Sequence, residues 1–366
     1  METNGVTEAK SVKEARFTSE PGPVTGRANG KLLLFGEHAA VHGYPAVGVS
    51  LSQEMQVSIE PAGAAEWEAP GLSEQEKSAV IAVIEVLQQI IPGVEALPKG
   101  RITITSSIPR GSGFGSSAAL CGALARAFAC YAGNLTEKTG GAKVTEPDAP
   151  RVDRETAPES SGVSSVQEWE WAHAAEKQFH GTPSGIDTGL SLHRGLYGFR
   201  MQPPALPQLV PLSGGPLHLI IGAVPRNSGA KETIASIGRA VAEGEKETRD
   251  ILAQLGTISE DAIRLLSVPW GPENVRSRSL RELGILMNRA HTALSRLDLS
   301  TPELEFLLTK GKEYGGLGGK LSGAGGGGAF YLLYRDERSA RRAGDTLNNS
   351  AASHGIETAA FYYHRA

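Results

Sequence analysis

The sequence has 366 residues, of which 36 are Lys or Arg and 40 are Asp or Glu, so its formal net charge at pH 7 is −4. A chain of this length predicts two domains, each able to bury a core of its own. The near balance of charge argues against a nucleic-acid-binding protein. The longest apolar runs, such as residues 217–224, are far shorter than the ~20 residues that a membrane span needs.

Cysteine and glycine narrow the class of protein further. Cys121 and Cys130 are the only cysteines and lie nine positions apart in a segment that predicts one helix. Two such positions face different directions, so we expect no disulfide and a reducing compartment. Glycine is frequent, with 45 residues, about 12% against a typical ~7%. Much of this excess lies in two clusters, at residues 111–117 and 315–328.

The first predicted elements come before the first glycine cluster. Residues 1–20 are polar and predict a disordered lead. The apolar run 32–35 and the alternating run 55–59 predict strands. Ser73 opens a capping-box pattern, and the helical spacing of the apolar residues after it predicts a helix that ends at Pro92.

Residues 101–105 alternate and are rich in β-branched side chains, so they predict a strand that leads into the first cluster. The Ala-rich segment 118–131 predicts the helix that follows. The polar stretch 134–161 predicts a surface insertion. A second capping-box pattern at Ser165 predicts a helix that continues to His180.

The C-terminal part repeats the mixture of strands and helices. Five prolines in residues 203–216 predict a domain boundary. Residues 217–224, 329–334 and 358–363 predict strands, and the apolar spacing of residues 280–297 predicts a helix. Strands and helices are therefore mixed throughout, which predicts an α+β fold class.

Residues 111–117 read Gly-Ser-Gly-Phe-Gly-Ser-Ser and join a predicted strand to a predicted helix. Glycines allow positive φ and close approach of a ligand, and the N–H groups at a helix start attract phosphate. A Walker A loop requires a lysine after its glycines, and none follows here. The segment is not a dinucleotide-binding motif either, because Ser116 stands in place of the third glycine. A tight turn without a ligand is the alternative.

Charged residues near these segments are candidates for chemistry. Lys31 begins the first strand, and Glu37 and His38 follow its end, although all three also suit solvated surface positions. Glu176 is predicted near a helix C-terminus, where a carboxylate opposes the helix dipole and a bound cation would relieve the conflict. An ordinary surface glutamate is the alternative. Asp187 is either a buried acid beside the phosphate loop or, with Ser184, a helix cap.

Residues 320–328 form a second glycine loop before an apolar strand. Ordering four successive glycines costs conformational entropy and gives no side-chain packing in return. We therefore expect something large to approach this backbone, with a disordered loop as the alternative.

Three segments, at residues 30–43, 108–119 and 320–328, resemble in their order the three motifs of the GHMP small-molecule kinases. Within that superfamily, Gly-Glu-His-Ala-x-Val-His-Gly at 36–43 and His-Gly-Thr-Pro-Ser-Gly-Ile-Asp at 180–187 are similar to the mevalonate kinase family. The resemblance covers about residues 26–334.

The chain departs from the family pattern at a few positions. Asn29 replaces the usual Pro, Phe114 replaces Leu, Ser322 replaces Thr, and Arg-Gly-Ser replaces Pro-Gly-Ala at residues 110–112. None of these changes removes a charged group, so they bear on the geometry of nucleotide binding rather than on the chemistry.

The resemblance implies a two-domain GHMP kinase fold with the active site in the cleft between the domains. Residues 21–212 would form a ribosomal-protein-S5-like N-terminal domain, and residues 213–366 a ferredoxin-like C-terminal domain. The implied reaction is ATP-dependent phosphorylation of the mevalonate 5-hydroxyl. Asp187 would take the hydroxyl proton, and Lys31 would hold Asp187 ionised and neutralise charge on the phosphoryl group.

The resemblance also implies the ligand contacts. Mg²⁺ would bind Glu176 and Ser117. The residues expected to bind ATP are Gly111, Ser112, Gly113, Phe114, Gly115, Ser116, Ser117 and Gly325. Those expected near mevalonate are Glu37, His38, Gly185 and Ser322.

Other readings remain open at this point. A phosphomevalonate kinase should carry extra cationic residues for its substrate phosphate, and residues 180–187 argue against galactokinase. A non-catalytic ligand-sensing relative tends to lose the base or the metal carboxylate, which this chain keeps. We expect the cytoplasm first and a peroxisome-like organelle second, and we consider a homodimer.

Overall fold

The computed structural model describes residues 22–95, 97–138, 163–227, 230–358 and 360–366. The expected lead, residues 1–20, and most of the expected insertion, residues 134–161, lie outside the described residues. The start of that insertion is helical instead, because the helix before it continues to Lys138.

Strands and helices are mixed along the described chain, which confirms the α+β class. In chain order the elements are β1 (Val24–Phe35), a 3-10 turn (Ala40–His42), β2 (Ala46–Pro61), α1 (Glu74–Ile90), β3 (Gly100–Ser106), α2 (Ser116–Lys138), α3 (Ser165–Glu176), α4 (Ile186–Leu192), β4 (Leu196–Gln202), β5 (Ala205–Pro211), β6 (His218–Val224), α5 (Ala230–Glu243), α6 (Lys246–Leu266), α7 (Glu273–Ser295), α8 (Pro302–Glu313), β7 (Gly318–Leu321), β8 (Gly328–Tyr334), α9 (Glu337–Ser353) and β9 (Ala360–Arg365).

The first sheet is antiparallel and has the order β1-β2-β4-β5, with β3 also paired to β2. The long strand β2 makes this branching possible, because its beginning pairs with β4 and its end with β3. The register between β1 and β2 shifts between Asn29 and Lys31. Such a bulge bends a strand and re-aims its side chains, and here it comes directly before Lys31.

Helix α2 packs closely on β1. A Cβ atom at Gly26 would lie 1.9 Å from the Ala123 carbonyl oxygen, so the absence of a side chain on β1 lets the helix backbone approach. Ala119, Ala123 and Ala127 are fully buried on this helix. Small residues on both elements therefore bring the start of α2 close to the strand that carries Lys31.

The second sheet is antiparallel with the order β7-β8-β6-β9. We call residues 22–211, which contain the first sheet, the N-terminal half, and residues 218–366 the C-terminal half. The expected domain boundary after residue 212 falls in the connection between them and stays a prediction. One continuous set of buried apolar residues includes members of both halves. None of the described helices is long and apolar enough to cross a membrane.

One segment holds a strand that was not predicted, and one local prediction needs correction. The proline-rich segment 203–216 contains β5, which lies at the edge of the first sheet, where prolines are tolerated. Helix α3 ends at Glu176 rather than at His180, and its N-cap is Ser164, whose side chain accepts from the Gln167 N–H. By contrast, the capping box of Ser73 is confirmed, with both of its hydrogen bonds present.

Candidate active site

Lys31 and Asp187 form an ion pair between strand β1 and the first turn of α4. Lys31 Nζ lies 2.9 Å from Asp187 Oδ2, and the side chains are 7% and 36% exposed. The ammonium group is thus almost fully buried while the carboxylate still faces solvent on one side. An acid in this state can both be held by the lysine and receive a proton from a bound molecule.

The glycine loop fixes the lysine from the other side. The Lys31 N–H donates to the Phe114 carbonyl, with an N···O distance of 2.9 Å. Gly115 has φ +78°, and a Cβ atom there would lie 2.5 Å from Lys31 Cγ. Glycine is therefore required at this position both by its backbone conformation and by the space that the lysine occupies.

Asp187 is positioned by the turn that starts α4. Gly185 is the N-cap, with φ +80° and no side-chain cap, so the alternative that Ser184 and Asp187 form a capping box is wrong. The Gly185 carbonyl accepts from Trp169 Nε1 at 2.9 Å and from Thr188 Oγ1 at 3.2 Å. Neither Trp169 nor Thr188 was predicted from the sequence to have this role.

Glu176 is buried at the end of α3, so the alternative of an ordinary surface glutamate is wrong. Burial and, to a smaller extent, the nearby Asp187 raise the pKa of Glu176 to about 8. Lys31 and a hydrogen bond with Thr188 act in the opposite direction. Among the described residues, Glu176 Oε2 has no hydrogen-bond partner. The site thus holds a buried carboxyl oxygen that a cation or a proton can satisfy.

The first glycine loop leads directly into α2. Gly111, Gly113 and Gly115 all have positive φ values, of 69°, 85° and 78°. They turn the chain so that the free N–H groups of the first helical turn point out of the helix start, which favours an anion. Ser117 lies in this turn, and its Oγ is 3.4 Å from His180 Nε2. Within the loop, the side chains of Ser112 and Phe114 are buried.

The second glycine loop packs against the chain itself. A Cβ atom at Gly327 would lie 2.2 Å from the Pro225 carbonyl oxygen, and one at Gly325 would lie 2.8 Å from Leu299 Cβ. The large group that approaches this backbone is therefore, at these two positions, another part of the protein. Arg226 lies between both loops, because its guanidinium would be 3.2 Å from a Cβ at Gly113 and 2.9 Å from one at Gly328.

Glu37, His38 and Ser322 form a separate cluster at the end of β1. Glu37 is paired with Lys320, a partner that was not predicted from the sequence. His38 has φ +58°, and its Nε2 lies 3.0 Å from the Ala324 carbonyl, so this nitrogen carries the hydrogen. Burial lowers the pKa of His38 and thereby favours its neutral form. Ser322 Oγ donates to the Leu33 carbonyl at 2.7 Å.

Comparison with known proteins finds family models that match a part of each half. Residues 78–144 match the model of the GHMP kinases N terminal domain, and residues 273–353 match that of GHMP kinases C terminal. A mevalonate kinase of Thermococcus gammatolerans is 29% identical over 342 residues, covering 86% of this chain and 90% of the relative.

Solved structures give the same fold. The crystal structure of L. major mevalonate kinase with R-mevalonate superimposes with a TM-score of 0.70 at 22% identity, covering 94% of this chain and 95% of that one. A Streptococcus pneumoniae phosphomevalonate kinase, in complex with phosphomevalonate and AMPPNP, has a TM-score of 0.66 at 15% identity, covering 93% and 99%. At these identities the structural matches establish the fold and leave the acceptor substrate open.

Proposed function

The chain belongs to the GHMP kinases, and on that premise we propose that it transfers the γ-phosphoryl group of ATP to the 5-hydroxyl of mevalonate. The two-domain fold expected from the sequence motifs is confirmed by the two family models and by the structural matches. ATP follows from the family as the co-substrate. The choice of mevalonate is supported by curated relatives of that name that align with 86% of the chain.

The ion pair between Lys31 and Asp187 is the observation that carries the proposed mechanism. The 5-oxygen of mevalonate attacks the γ-phosphorus, the bond from that phosphorus to the β–γ bridging oxygen breaks, and ADP leaves. The hydroxyl proton passes to Asp187. An aspartate is a weak base, but proton transfer comes late in a loose phosphoryl-transfer transition state, so a weak base in the right place is sufficient.

Lys31 has two functions in this proposal. Its ammonium group, 2.9 Å from Asp187 Oδ2, would hold that carboxylate in position for the substrate hydroxyl. Its positive charge also stabilises the negative charge on the phosphoryl oxygens in the transition state, which is the main contribution that a protein makes to this chemistry.

The first glycine loop and the start of α2 would bind the phosphates of ATP. The residues in contact would be Gly111, Ser112, Gly113, Phe114, Gly115, Ser116 and Ser117, with Gly325 from the second loop. Free N–H groups at a helix start suit phosphate oxygens. The exposed cation of Arg226, next to both loops, supports an anionic ligand at this place.

The residues present fit Mg²⁺. Glu176 has a buried oxygen without a partner among the described residues, and Ser117 offers a hydroxyl. Both are hard oxygen ligands of the kind that Mg²⁺ prefers. When bound, the ion would neutralise charge on the ATP phosphates. Nowhere in the described chain do three His, Cys, Asp or Glu side chains gather as a metal site, so we expect phosphate and water to complete the coordination.

The mevalonate site would lie between Asp187 and the cluster at the end of β1. Glu37, whose side chain is fully buried and whose Oε2 has no partner in the described part of the chain, would lie beside this site. His38 and Ser322 hold the chain segments around it, and Gly185 starts the turn that carries Asp187. The cytoplasm and a homodimer stay predictions.

A coupled assay of ADP release tests this function with mevalonate, phosphomevalonate and galactose as separate acceptors. We expect turnover with mevalonate alone. Preference for either other acceptor would identify a different GHMP kinase. Binding of ATP and mevalonate without turnover would instead favour the non-catalytic relative. Asp187→Asn serves as the inactive control in every arm.

A further inference from the structure

Arg226 is an exposed arginine in the segment that follows β6, in the C-terminal half. The second glycine loop holds the backbone on both sides of it. The Asn227 N–H donates to the Gly326 carbonyl at 2.7 Å, and a Cβ atom at Gly327 would lie 2.2 Å from the Pro225 carbonyl oxygen. The position of the arginine backbone is therefore fixed by close packing, while its side chain stays open to solvent.

The side chain reaches the first glycine loop, which belongs to the N-terminal half. A Cβ atom at Gly113 would lie 3.2 Å from Arg226 Nη2 and 3.5 Å from Ala329 Cβ. The next loop residue, Phe114, has its ring centre 5.8 Å from that of Tyr362 on β9. The first loop thus rests on the second sheet, and the arginine meets the loop from that side.

The charge of Arg226 is not balanced by the protein. Its side chain forms neither an ion pair nor a hydrogen bond within the part of the chain that the structure describes. A guanidinium group stays protonated at any pH at which the protein is folded. Lys31, which contacts the same loop at Gly115, is already paired with Asp187. An anion in the loop would therefore meet one cation that is paired and one that is free.

Phosphate is the anion that this arrangement suits. The planar guanidinium fork can donate two parallel hydrogen bonds to a phosphate group, and it can do so here because Arg226 is exposed. The first glycine loop, beside the guanidinium, leads into the free N–H groups of the start of α2, which also favour phosphate. A triphosphate carries several negative charges, so it can use both sets of donors at once.

We propose that Arg226 binds a phosphate group of ATP, as a cation that the C-terminal half supplies to the first glycine loop. This assignment rests on the proposed function, because it requires the ATP phosphates to lie in that loop. ATP then bridges the two halves, with the loop on one side and the arginine on the other. Arg226 has no part in binding the acceptor.

Titration calorimetry of ATP with excess Mg²⁺ and no acceptor tests the contact. Arg226→Met removes the charge and the donors but keeps an unbranched side chain of similar reach. We expect the Kd for ATP to rise about tenfold or more, as the loss of a charge-assisted hydrogen bond does. Arg226→Gln, a shorter uncharged side chain, should give a similar loss. At saturating ATP, the KM for mevalonate should change less than about twofold in both variants.

Melting temperatures separate a ligand contact from a packing role. Without ligand, both variants should melt close to wild type, because substitutions of exposed side chains have small effects on stability. ATP should raise their melting temperatures less than it raises that of wild type, since stabilisation by a ligand follows its affinity.

Arg338→Met is the matched control, an exposed arginine of the same half on α9. This helix packs on the other face of the second sheet. A Cβ atom at Gly344 would lie 2.8 Å from Ile220 Cδ1, and Ile220 pairs with Leu332, three positions from the Ala329 that meets the first loop. The control should bind ATP as wild type does.

An unchanged Kd for ATP in either Arg226 variant would overturn the proposal. A tenfold rise in the KM for mevalonate would also overturn it, because Arg226 would then bind the carboxylate of the acceptor. Wild type that binds ATP but does not phosphorylate mevalonate would reject the proposed acceptor alone. The calorimetric comparison contains no acceptor and would still decide the role of Arg226.

Discussion

Glu176→Gln should make the metal-free protein more stable at neutral pH, although it alters the active site. The carboxyl group has an ordinary pKa of 4.5, and burial raises this to about 8 in the folded protein. Between these two pH values the folded protein holds a proton that the unfolded chain has lost. The free energy of unfolding therefore falls as pH rises, by about 1.4 kcal/mol per pH unit for this one group.

The size of this change in stability follows from the raised pKa of Glu176. At pH 7 the accumulated cost to the folded wild type is about 3 kcal/mol, and it rises to about 4–5 kcal/mol above pH 8, where the group is ionised in both states. A glutamine at position 176 mimics the protonated carboxyl and has no proton to take up. The variant should match wild type near pH 4 and exceed it increasingly from pH 5 to 8.

Urea unfolding in EDTA, repeated at intervals from pH 5 to 8, measures the difference. Glu170→Gln is the matched control, because Glu170 is exposed on the same helix and should give curves parallel to wild type. Parallel curves for Glu176→Gln and wild type would refute the reasoning, since they would mean that Glu176 keeps its charge in the buried site.

The same variant has an opposite effect on catalysis. If Glu176 is a Mg²⁺ ligand, loss of its charge weakens the attraction for the cation while ATP still binds through the glycine loop. We expect the Mg²⁺ concentration for half-maximal rate to rise and kcat to fall. A folded variant with unchanged Mg²⁺ dependence would remove Glu176 from the metal site.

Three further substitutions test the surrounding geometry. Asp187→Asn should lower kcat at least ~10²-fold, the lower range for loss of a general base, and leave the Kd for ATP, measured by titration calorimetry, within a few-fold. Gly115→Ala should lower kcat at least ~10-fold in steady-state assays, because the methyl group displaces Lys31 and the backbone is strained. Gly256→Ala should lower the free energy of unfolding by about 1–3 kcal/mol, since its Cβ would lie 2.2 Å from Tyr44, and Tyr44→Leu should restore part of it in urea unfolding. Unchanged kcat for either of the first two variants, or no recovery for the third, would contradict these assignments.

The sequence predicts well where local chemistry decides the structure. The capping box at Ser73 and the apolar spacing after it specify α1, because both depend on neighbours within a few residues. The motif order also predicts that Lys31 and Asp187 come together, although they lie 156 positions apart in the numbering. That contact follows from the family resemblance and not from the local pattern.

The sequence predicts poorly where a distant partner decides. Glu37 follows the end of β1, where a solvated loop position was the alternative, and its buried partner Lys320 comes from the other half. The local pattern leaves Glu176 open between a cation site and an ordinary surface position, because its environment comes from Asp187 and Lys31 in two other elements. The second glycine loop likewise owes its composition to Pro225 and Leu299.

Two backbone carbonyls of β1 depend on hydroxyl groups from the other half of the molecule. Ser322 Oγ donates to Leu33 and Tyr331 OH donates to Leu34, and all four residues are buried. Without the C-terminal half, the strand that presents Lys31 would lose these partners. The halves are therefore not interchangeable modules: a hybrid with a C-terminal half from another family member must supply both hydroxyl groups, or the catalytic strand loses cooperativity with the rest of the fold.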